Sequence, residues 1–127
     1  MIGRLKRRAE FLHVAAARKK WAAPGLILQV CPTPPLSTSD AAATPSPAGL
    51  RVGFTASRKV GNAVKRNRAR RRLKAVVGEI LPKHGMPGYD LVVIARPATV
   101  DRPYRELVSD FTAALKRMRV YAEAERA

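Results

Sequence analysis

The sequence predicts an α+β fold, in which one small β-sheet packs against helices. The chain has 127 residues, which suits one domain, and we take 1–127 as that domain with a flexible tail at about 121–127. Segments with helical and with strand periodicity follow one another in the order helix, strands, helix, strand, helix. Hydrophobic residues make up 46% of the chain and aromatic residues only 6%, so we expect an aliphatic core.

The N-terminal residues predict a first helix over about 5–17. Apolar side chains recur there at three- and four-residue spacing, and the predicted stripe consists of Leu5, Ala9, Leu12 and Ala16. Phe11 and Val14 lie off this stripe, on a second apolar flank. We therefore expect the helix to contact two surfaces rather than one.

Three strand-like segments follow, separated by a turn and by a long Pro-rich stretch. Residues 18–23 form a short segment before the Pro24-Gly25 turn, and 26–30 have the length and branched content of a strand. Residues 50–56 alternate strictly between two faces. One face carries Leu50, Val52, Phe54 and Ala56, and the other carries Arg51, Gly53 and Thr55. Residues 32–49 hold five prolines and one charged residue, so we expect a flexible loop there.

The second half of the chain predicts a long helix, a buried strand and a last helix. Asn62 is a suitable N-cap, and helical periodicity then continues to about Leu81, before Pro82. Residues 89–95 form a continuous apolar run, which is typical of an interior strand covered on both faces. Pro103 suits the first turn of the last helix. The apolar side of that helix consists of Tyr104, Leu107, Val108, Phe111, Leu115 and Met118.

The charge of the chain narrows the choice of partners. The 25 Lys and Arg residues exceed the 9 Asp and Glu residues and leave a formal net charge of +16, more than internal pairing can neutralise. Nucleic acid phosphate is the first candidate for the missing anion, and an anionic membrane surface is the second. No stretch resembles a signal peptide or a membrane span, so we expect a cytoplasmic protein. Cys31 is the only cysteine, which excludes an internal disulfide.

Residues 58–74 carry the strongest functional signal, because they contain nine Lys and Arg residues and no Asp or Glu. These cations spread around most of the predicted helix, whereas an ordinary solvated face mixes both signs. Lys65 and Arg66 fall in the first turn, where the helix dipole disfavours cations by roughly 0.3 to 1 kcal/mol each. A bound phosphate would resolve this conflict, since a helix N-terminus favours anions. A membrane fits less well, because this half of the helix has no lipid-facing apolar side.

The sequence gives no signal of protein-based catalysis. It has no Gly-rich phosphate loop, no metal-binding helix motif and no Ser or Cys in a nucleophile context. The acids are scattered, whereas a protein nuclease would need clustered carboxylates or an activated His. We expect His13 and His84 to be surface or interface residues. Trp21 is expected either to pack against the sheet edge or to stack on a base. We therefore predict neither a catalytic residue nor a metal ligand in the chain.

A long motif in the middle of the chain resembles the signature of bacterial ribonuclease P proteins. The motif runs from Arg51 to Arg72 and reads RVGFTASRKVGNAVKRNRARRR. Residues 4–14 resemble the first helix of that family, and 89–97 resemble a later strand. The resemblance implies a small α/β sandwich with a four-stranded sheet, the order α-β-β-β-α-β-α and a left-handed βαβ crossover through the Arg-Asn-Arg helix.

The resemblance also implies two RNA-binding surfaces. The basic helix and the loop before it would dock on the catalytic RNA. The residues that match the family there are Lys59, Asn62, Arg66, Asn67, Arg68, Arg70, Arg71 and Lys74. We add Arg58 and Lys65, which belong to the same cationic segment. A cleft between the first helix and the sheet would hold the 5′ leader of precursor tRNA. The residues that would line it are Phe11, Ile27, Gln29 and Thr55.

The activity that the resemblance implies belongs to a ribonucleoprotein. Mg2+ bound by the RNA and the substrate would activate the water that cleaves the phosphodiester. The protein would be the non-catalytic subunit of this endoribonuclease, a hydrolase that gives tRNA its mature 5′ end. We expect it to be a monomer in the complex and able to self-associate without RNA.

The chain departs from the family pattern at three positions. Ala15 and Gln29 stand where the family often has aromatic residues, and Lys74 stands where Arg is usual. Each base–aromatic stack contributes roughly 1 to 3 kcal/mol, so we expect leader affinity to depend more on Lys and Arg here. The alternative function is that of a structural RNA-binding protein of ribosomal or chaperone type. Such a protein would share the basic helix but would not prefer precursor over mature tRNA.

Overall fold

The computed structural model describes residues 2–5, 7–32, 50–85 and 88–122, and in it one mixed sheet lies between helices. The strands are β1 (Ile2–Arg4), β2 (Lys20–Ala22), β3 (Leu26–Pro32), β4 (Leu50–Thr55) and β5 (Tyr89–Ala95). The helices are α1 (Arg8–Ala16), α2 (Ala63–His84) and α3 (Tyr104–Arg117), and short 3-10 turns cover Arg58–Val60 and Pro97–Val100. From residue 33 on, the predicted loop lies outside the described residues, as do residues 123–127 of the predicted tail.

The strands follow the order β1-β4-β5-β3-β2 across the sheet. β5 is parallel to β4 and antiparallel to β3, so the apolar run 89–95 is the central strand, as predicted. α2 connects the parallel neighbours β4 and β5, which confirms the α+β class and the βαβ crossover. All four predicted strands are present, and β1 adds a short fifth strand at the edge, parallel to β4.

The two faces of the sheet bury cores of different size. The face toward α2 and α3 carries the larger core, whose buried residues are aliphatic except for Phe111. Alternation along β4 and the apolar stripes of α2 and α3 supply this core, which confirms those predictions. The other face carries a small cluster beneath α1. Its buried members are Leu5, Val14, Cys31 and Val92, and Phe11, Ala17 and Ile94 pack against them.

The first helix is shorter than predicted. It begins at Arg8 rather than near residue 5, because residues 2–4 form β1. Leu5 continues from that strand: its N–H donates to the carbonyl of Val52 at 2.9 Å, and its side chain is buried in the small cluster. Leu5 therefore directly follows β1 and is not part of the helix.

The face that α1 buries is also different from the predicted one. Val14 is fully buried and Phe11 is half-buried, so the second apolar flank faces the sheet. Leu12, in contrast, is 53% exposed, and Ala9 and Ala16 are exposed as well. The predicted stripe was wrong because it counted Leu5, which follows β1 and precedes α1, as its first helical position.

The second helix runs further than predicted. It passes through Pro82 and ends at His84. Proline removes the hydrogen bond that would reach the carbonyl of Gly78, but it does so in the last turn, where few further bonds can be disrupted. The N–H of Gly85 then closes the helix by donating to the carbonyl of Leu81 at 2.8 Å.

The chain after α3 returns to the C-terminal end of α2. Tyr121 forms a β-bridge with Gly85, and the N–H of Ala122 donates to the carbonyl of His84 at 2.7 Å. The His84 and Tyr121 rings stack with their centroids 4.5 Å apart. The first two residues of the predicted flexible tail are therefore packed against α2.

Candidate nucleic-acid interface

Two polar side chains build the N-terminal end of α2. The hydroxyl of Ser57 accepts a hydrogen bond from the N–H of Lys59 at 3.3 Å, where the first 3-10 turn begins. The Oδ1 of Asn62 accepts one from the N–H of Lys65 at 3.0 Å, so Asn62 is the N-cap, as predicted. Gly61 joins the two elements with a φ of +142°, which other residues rarely adopt. Gly61 therefore separates the cations of the 3-10 turn from those in the first turn of α2.

One side of the N-terminal half of α2 is polar and open to solvent. The spacing i, i+3, i+4, i+7 places four residues on this side, namely Asn67, Arg70, Arg71 and Lys74. Arg70 is half-buried and the other three are exposed. The Nη2 of Arg70 donates to the Oδ1 of Asn67 at 2.6 Å, so the hydrogen bond restricts the orientation of both side chains.

Arg66 lies at the start of the same helix and is half-buried. Its Nη1 donates to the carbonyl of Gly61 at 2.9 Å, which links the helix to the glycine turn before it. Arg58, Lys59, Lys65 and Arg71 are exposed around this end of the helix. Val64 is 75% exposed in the first turn, an apolar side chain among cations.

Arg68 and Arg72 lie on a different side of α2, toward the second 3-10 turn. The Nε of Arg68 donates to the carbonyl of Val100 at 3.0 Å. The Nη1 of Arg72 donates to the carbonyls of Thr99 at 2.6 Å and of Val100 at 2.9 Å. Burial, with the neighbouring Arg68 charge, lowers the pKa of Arg72 from its ordinary value. Arg72 thus connects α2 to the turn, whereas Arg68 is exposed and retains further donors.

No ion pair in the described part of the chain joins a cation of residues 58–74 to a carboxylate. The ion pairs found there involve Arg51 and Arg102 instead. The cations of this region therefore have no ion-pair partner among the described residues. We refer to the polar residues at this end of the molecule as the α2 basic surface, which consists of Arg58, Lys59, Asn62, Lys65, Arg66, Asn67, Arg68, Arg70, Arg71 and Lys74.

The α2 basic surface continues onto the edge strand β1. The Arg4 guanidinium lies 5.1 Å from the centroid of the Phe54 ring, and the Nζ of Lys74 lies 6.0 Å from it. The sequence alone does not indicate Arg4 as part of this surface, because the three residues of β1 are too few to predict a strand from periodicity. The pairing of Arg4 with Val52 places it there.

Three of the four predicted cleft residues, Ile27, Gln29 and Thr55, lie on the face of the sheet that α1 covers, and the fourth, Phe11, lies on α1. Thr55 pairs with Ile94, which pairs with Ile27, so these three form one row across β4, β5 and β3. Gln29 belongs to the next row, and all of them are half-buried. We call the space bounded by Phe11, Ile27, Gln29, Thr55 and Ile94 the α1 cleft. Ile94 was not predicted as a cleft residue, because a continuous apolar run predicts a strand that is buried on both faces.

Phe11 lies directly above Gly53 in the row of Gln29. A Cβ atom on Gly53 would be 2.6 Å from Cε2 and Cζ of the Phe11 ring, closer than side-chain carbons approach one another. Gly53, Val92 and Gln29 are paired across three strands in this row. The missing side chain at position 53 therefore makes room for the aromatic ring.

Three charged residues connect α1 to the sheet. The Arg51 guanidinium donates to both carboxylate oxygens of Asp90, at 2.8 and 2.6 Å, and its Nη1 donates to Glu10 Oε2 at 3.1 Å. The Asp90 side chain is 1% exposed. The hydrogen bond to Asp90 raises the pKa of Arg51 above its ordinary value. No sequence pattern predicts this network, because its members lie 39 and 41 residues apart.

Trp21 and His84, which the sequence singled out, pack against neighbouring side chains. Trp21 is half-buried against the larger core, with the Arg117 guanidinium 4.5 Å from its ring centroid, so it packs at the sheet edge. His13 is exposed. His84 stacks on Tyr121, and its Nδ1 lies 3.0 Å from the carbonyl of Ala122. Among residues 2–5, 7–32, 50–85 and 88–122, no three His, Cys, Asp or Glu side chains are grouped so as to hold a metal ion.

The chain has an α+β fold, and the α2 basic surface has the charge that is typical of proteins that bind a polyanion. Within the described ranges, no helix is both long and apolar enough to span a membrane. A family model described as Ribonuclease P matches residues 3–119, and the chain belongs to that family.

Relatives and solved structures agree with this assignment. The chain is 56% identical over 117 residues to the ribonuclease P protein component of Paramagnetospirillum magneticum. The alignment covers 92% of this chain and 83% of the relative. It is 44% identical over 114 residues to the ribonuclease P protein component of Gluconacetobacter diazotrophicus. That alignment covers 90% of this chain and 89% of the relative. In fold it is similar to the RNase P protein of Staphylococcus aureus, with a TM-score of 0.72, 23% identity and coverage of 93% and 96% of the two chains.

Proposed function

We propose that this chain is the protein subunit of ribonuclease P. In this proposal it binds the catalytic RNA and the 5′ leader of precursor tRNA, and it thereby promotes removal of the leader. The observation that carries the proposal is the α2 basic surface, whose charges have no carboxylate partner among the described residues. The names of the relatives, each called a ribonuclease P protein component, support the same assignment.

The catalytic RNA would bind at the α2 basic surface. Exposed N–H groups and the dipole at the start of α2 favour an anion, and Lys65 and Arg66 add charge in the same turn. The row from Asn67 to Lys74 would contact phosphates along an RNA backbone, since guanidinium groups bind phosphate through two parallel hydrogen bonds. A folded RNA supplies the closely spaced phosphates that this density of cations requires.

The 5′ leader would bind in the α1 cleft as a single strand. Phe11 gives it an aromatic ring on which a base can stack, and Gln29 and Thr55 are half-buried polar residues near it. Ala15 is exposed on α1 and Gln29 lies on β3, so neither supplies a second ring at the positions where the family often has one. The lysine next to Gln29 on β2, Lys20, is exposed and pairs with it in register.

The chemical step would belong to the RNA in this proposal. Mg2+ ions held by the RNA and the substrate would activate the attacking water, and the protein would contribute affinity for the substrate. The chain would thus act in the cytoplasm as the protein subunit of a ribonucleoprotein hydrolase. Its residues bind and orient RNA, and none is assigned to bond cleavage.

A cleavage assay tests the proposal directly. Precursor tRNA is incubated with the catalytic RNA at low Mg2+, with and without the full chain, and the rate of leader release is measured. We expect the protein to increase this rate, because it adds contacts to the leader and screens phosphate repulsion between the two RNAs. No stimulation at any protein concentration would contradict the proposal. Equal affinity for precursor and mature tRNA would favour a structural RNA-binding protein instead.

A further inference from the structure

The position of α1 on the sheet is only weakly determined by apolar contacts. The helix has nine residues, which is too short to be stable alone. Val14 is its one fully buried side chain, and the cluster beneath it is small compared with the core on the other face. Apolar contacts are not directional, so we expect such a small cluster to restrict the position of the helix less than the large core restricts α2.

The ion pairs of Arg51 with Glu10 and Asp90 are directional, and they restrict where α1 lies on the sheet. Glu10 lies one residue before Phe11, and its Oε2 accepts a hydrogen bond from Arg51 at 3.1 Å. Its Oε1 accepts one from the N–H of Arg7 at 2.9 Å, so the same carboxylate also closes the first turn of α1. Arg51 is held by both oxygens of the buried Asp90 on the central strand. Glu10 therefore joins the start of α1 to a fixed point of the sheet.

We propose that Glu10 is a positioning residue for the α1 cleft. Through Arg51 and Asp90 it fixes where α1 crosses the sheet, and so it sets the place of the Phe11 ring and the width of the cleft. Gly53 completes the arrangement, since only a residue without Cβ lets the ring approach β4. This inference rests on the proposed function, because it assigns the network to leader binding. The network lies on the α1 face and has no member on α2, so binding to the catalytic RNA does not depend on it.

Ion pairs in partly buried sites are suited to this task. Their net contribution to stability is often small, because the desolvation of both charges offsets the attraction between them. Their geometry is directional, however, and Arg51 is fixed by two parallel bonds before it meets Glu10. The network is therefore expected to affect the position of α1 more than the stability of the domain.

The test uses the full chain assembled with the catalytic RNA, and it compares three variants with a matched control. Glu10→Ala removes both contacts of the carboxylate. Glu10→Gln removes the charge and keeps one of its two acceptor oxygens, so it can retain the hydrogen bond from Arg51 or the one from the N–H of Arg7, but not both. Gly53→Ala displaces the Phe11 ring without changing any charge. Glu106→Ala is the control, because Glu106 also pairs with an arginine, Arg102, but does so on α3. For each variant we would measure affinity for precursor tRNA, for mature tRNA and for the catalytic RNA.

The expected result is a selective loss of leader preference. Glu10→Ala and Gly53→Ala should reduce the ratio of precursor to mature tRNA affinity by about five- to tenfold, as for a misplaced base stack. Glu10→Gln should have a smaller effect, and Glu106→Ala none. Affinity for the catalytic RNA should remain within about twofold of the wild-type value.

Two outcomes would overturn the inference, and a third concerns the proposed function. An unchanged ratio in both Glu10 variants, with or without an effect of Gly53→Ala, would show that the network does not position α1. Equal losses for precursor tRNA and catalytic RNA would show that Glu10 only stabilises the domain. If Glu10→Ala fails to fold, Glu10→Gln decides between these results. A wild-type protein without leader preference would contradict the proposed function itself.

Discussion

The α2 basic surface and the α1 cleft differ in how the fold holds them. α2 packs on the large core through fully buried Leu73 and Val76, and its cations come from one continuous segment. α1 packs on a small cluster, and its cleft combines residues from α1, β3, β4 and β5. The first surface therefore depends on a local sequence, and the second depends on contacts between distant segments.

The largest expected effect comes from the core beneath α2. Leu73→Ala should lower the free energy of unfolding by about 2 to 5 kcal/mol, because it leaves a cavity in a fully packed region. Val14→Ala, under α1, should cost roughly 1.5 to 2.5 kcal/mol. Urea denaturation of both variants measures the difference. Equal losses would show that the two cores do not differ in the way described.

The next effect concerns affinity for the catalytic RNA. The double variant Arg66→Ala, Arg70→Ala should bind that RNA at least about 100-fold more weakly at low salt, since each charge-assisted contact contributes about 1.5 to 3 kcal/mol. A filter-binding titration measures this. The matched control is Lys83→Ala, Arg105→Ala, which removes two exposed cations elsewhere on α2 and α3. A loss of similar size in the control would mean that total charge, and not the α2 basic surface, determines binding.

A smaller effect is expected in the α1 cleft. Phe11→Ala should weaken binding of precursor tRNA about tenfold and leave mature tRNA unaffected, because it removes the ring on which a leader base would stack. Leu12→Ala is the control, since Leu12 is the next residue of the same helix and points to solvent. Competition binding with both tRNAs gives the two affinities. Weakened binding in the Leu12 variant would place the leader on the outer side of α1.

The smallest expected effect is a gain in affinity for the catalytic RNA. Lys74→Arg should raise affinity for the catalytic RNA about two- to threefold, because a guanidinium group can bind one phosphate with two hydrogen bonds. The larger planar group would also retain contact with the Phe54 ring, which lies 6.0 Å from the present ammonium group. Titration beside the wild type measures the change. A loss of affinity would indicate that Lys74 contacts RNA in a space too narrow for arginine.

The sequence predicts the α2 basic surface well because its signal is local. Asn62 caps the helix as predicted, and the spacing of Asn67, Arg70, Arg71 and Lys74 is enough to place them on one side. What the sequence does not reveal is that Arg72 points elsewhere, since its partners are carbonyl groups of a turn 27 to 30 residues away. Backbone acceptors leave no pattern in a sequence.

The α1 cleft is predicted in part. Strand alternation places Ile27, Gln29 and Thr55 on the correct face, but the helix above them was assigned the wrong stripe. The error has a physical origin, because apolar periodicity does not distinguish a buried residue that follows a strand, as Leu5 does, from the first residue of a helix. β1 itself has three residues and is stabilised by pairing with β4, about 48 positions later in the chain.

The central claim is that the α2 basic surface binds RNA phosphates, and the salt dependence of catalytic RNA binding tests it most directly. The dissociation constant is measured across a range of salt concentrations for the wild type, for Arg66→Ala, Arg70→Ala and for the control pair. We expect the slope of log affinity against log salt to fall by about 0.7 to 0.9 for each lost phosphate contact, so by about 1.4 to 1.8 in the double variant. The control should keep the wild-type slope. A double variant with the wild-type slope would contradict the claim.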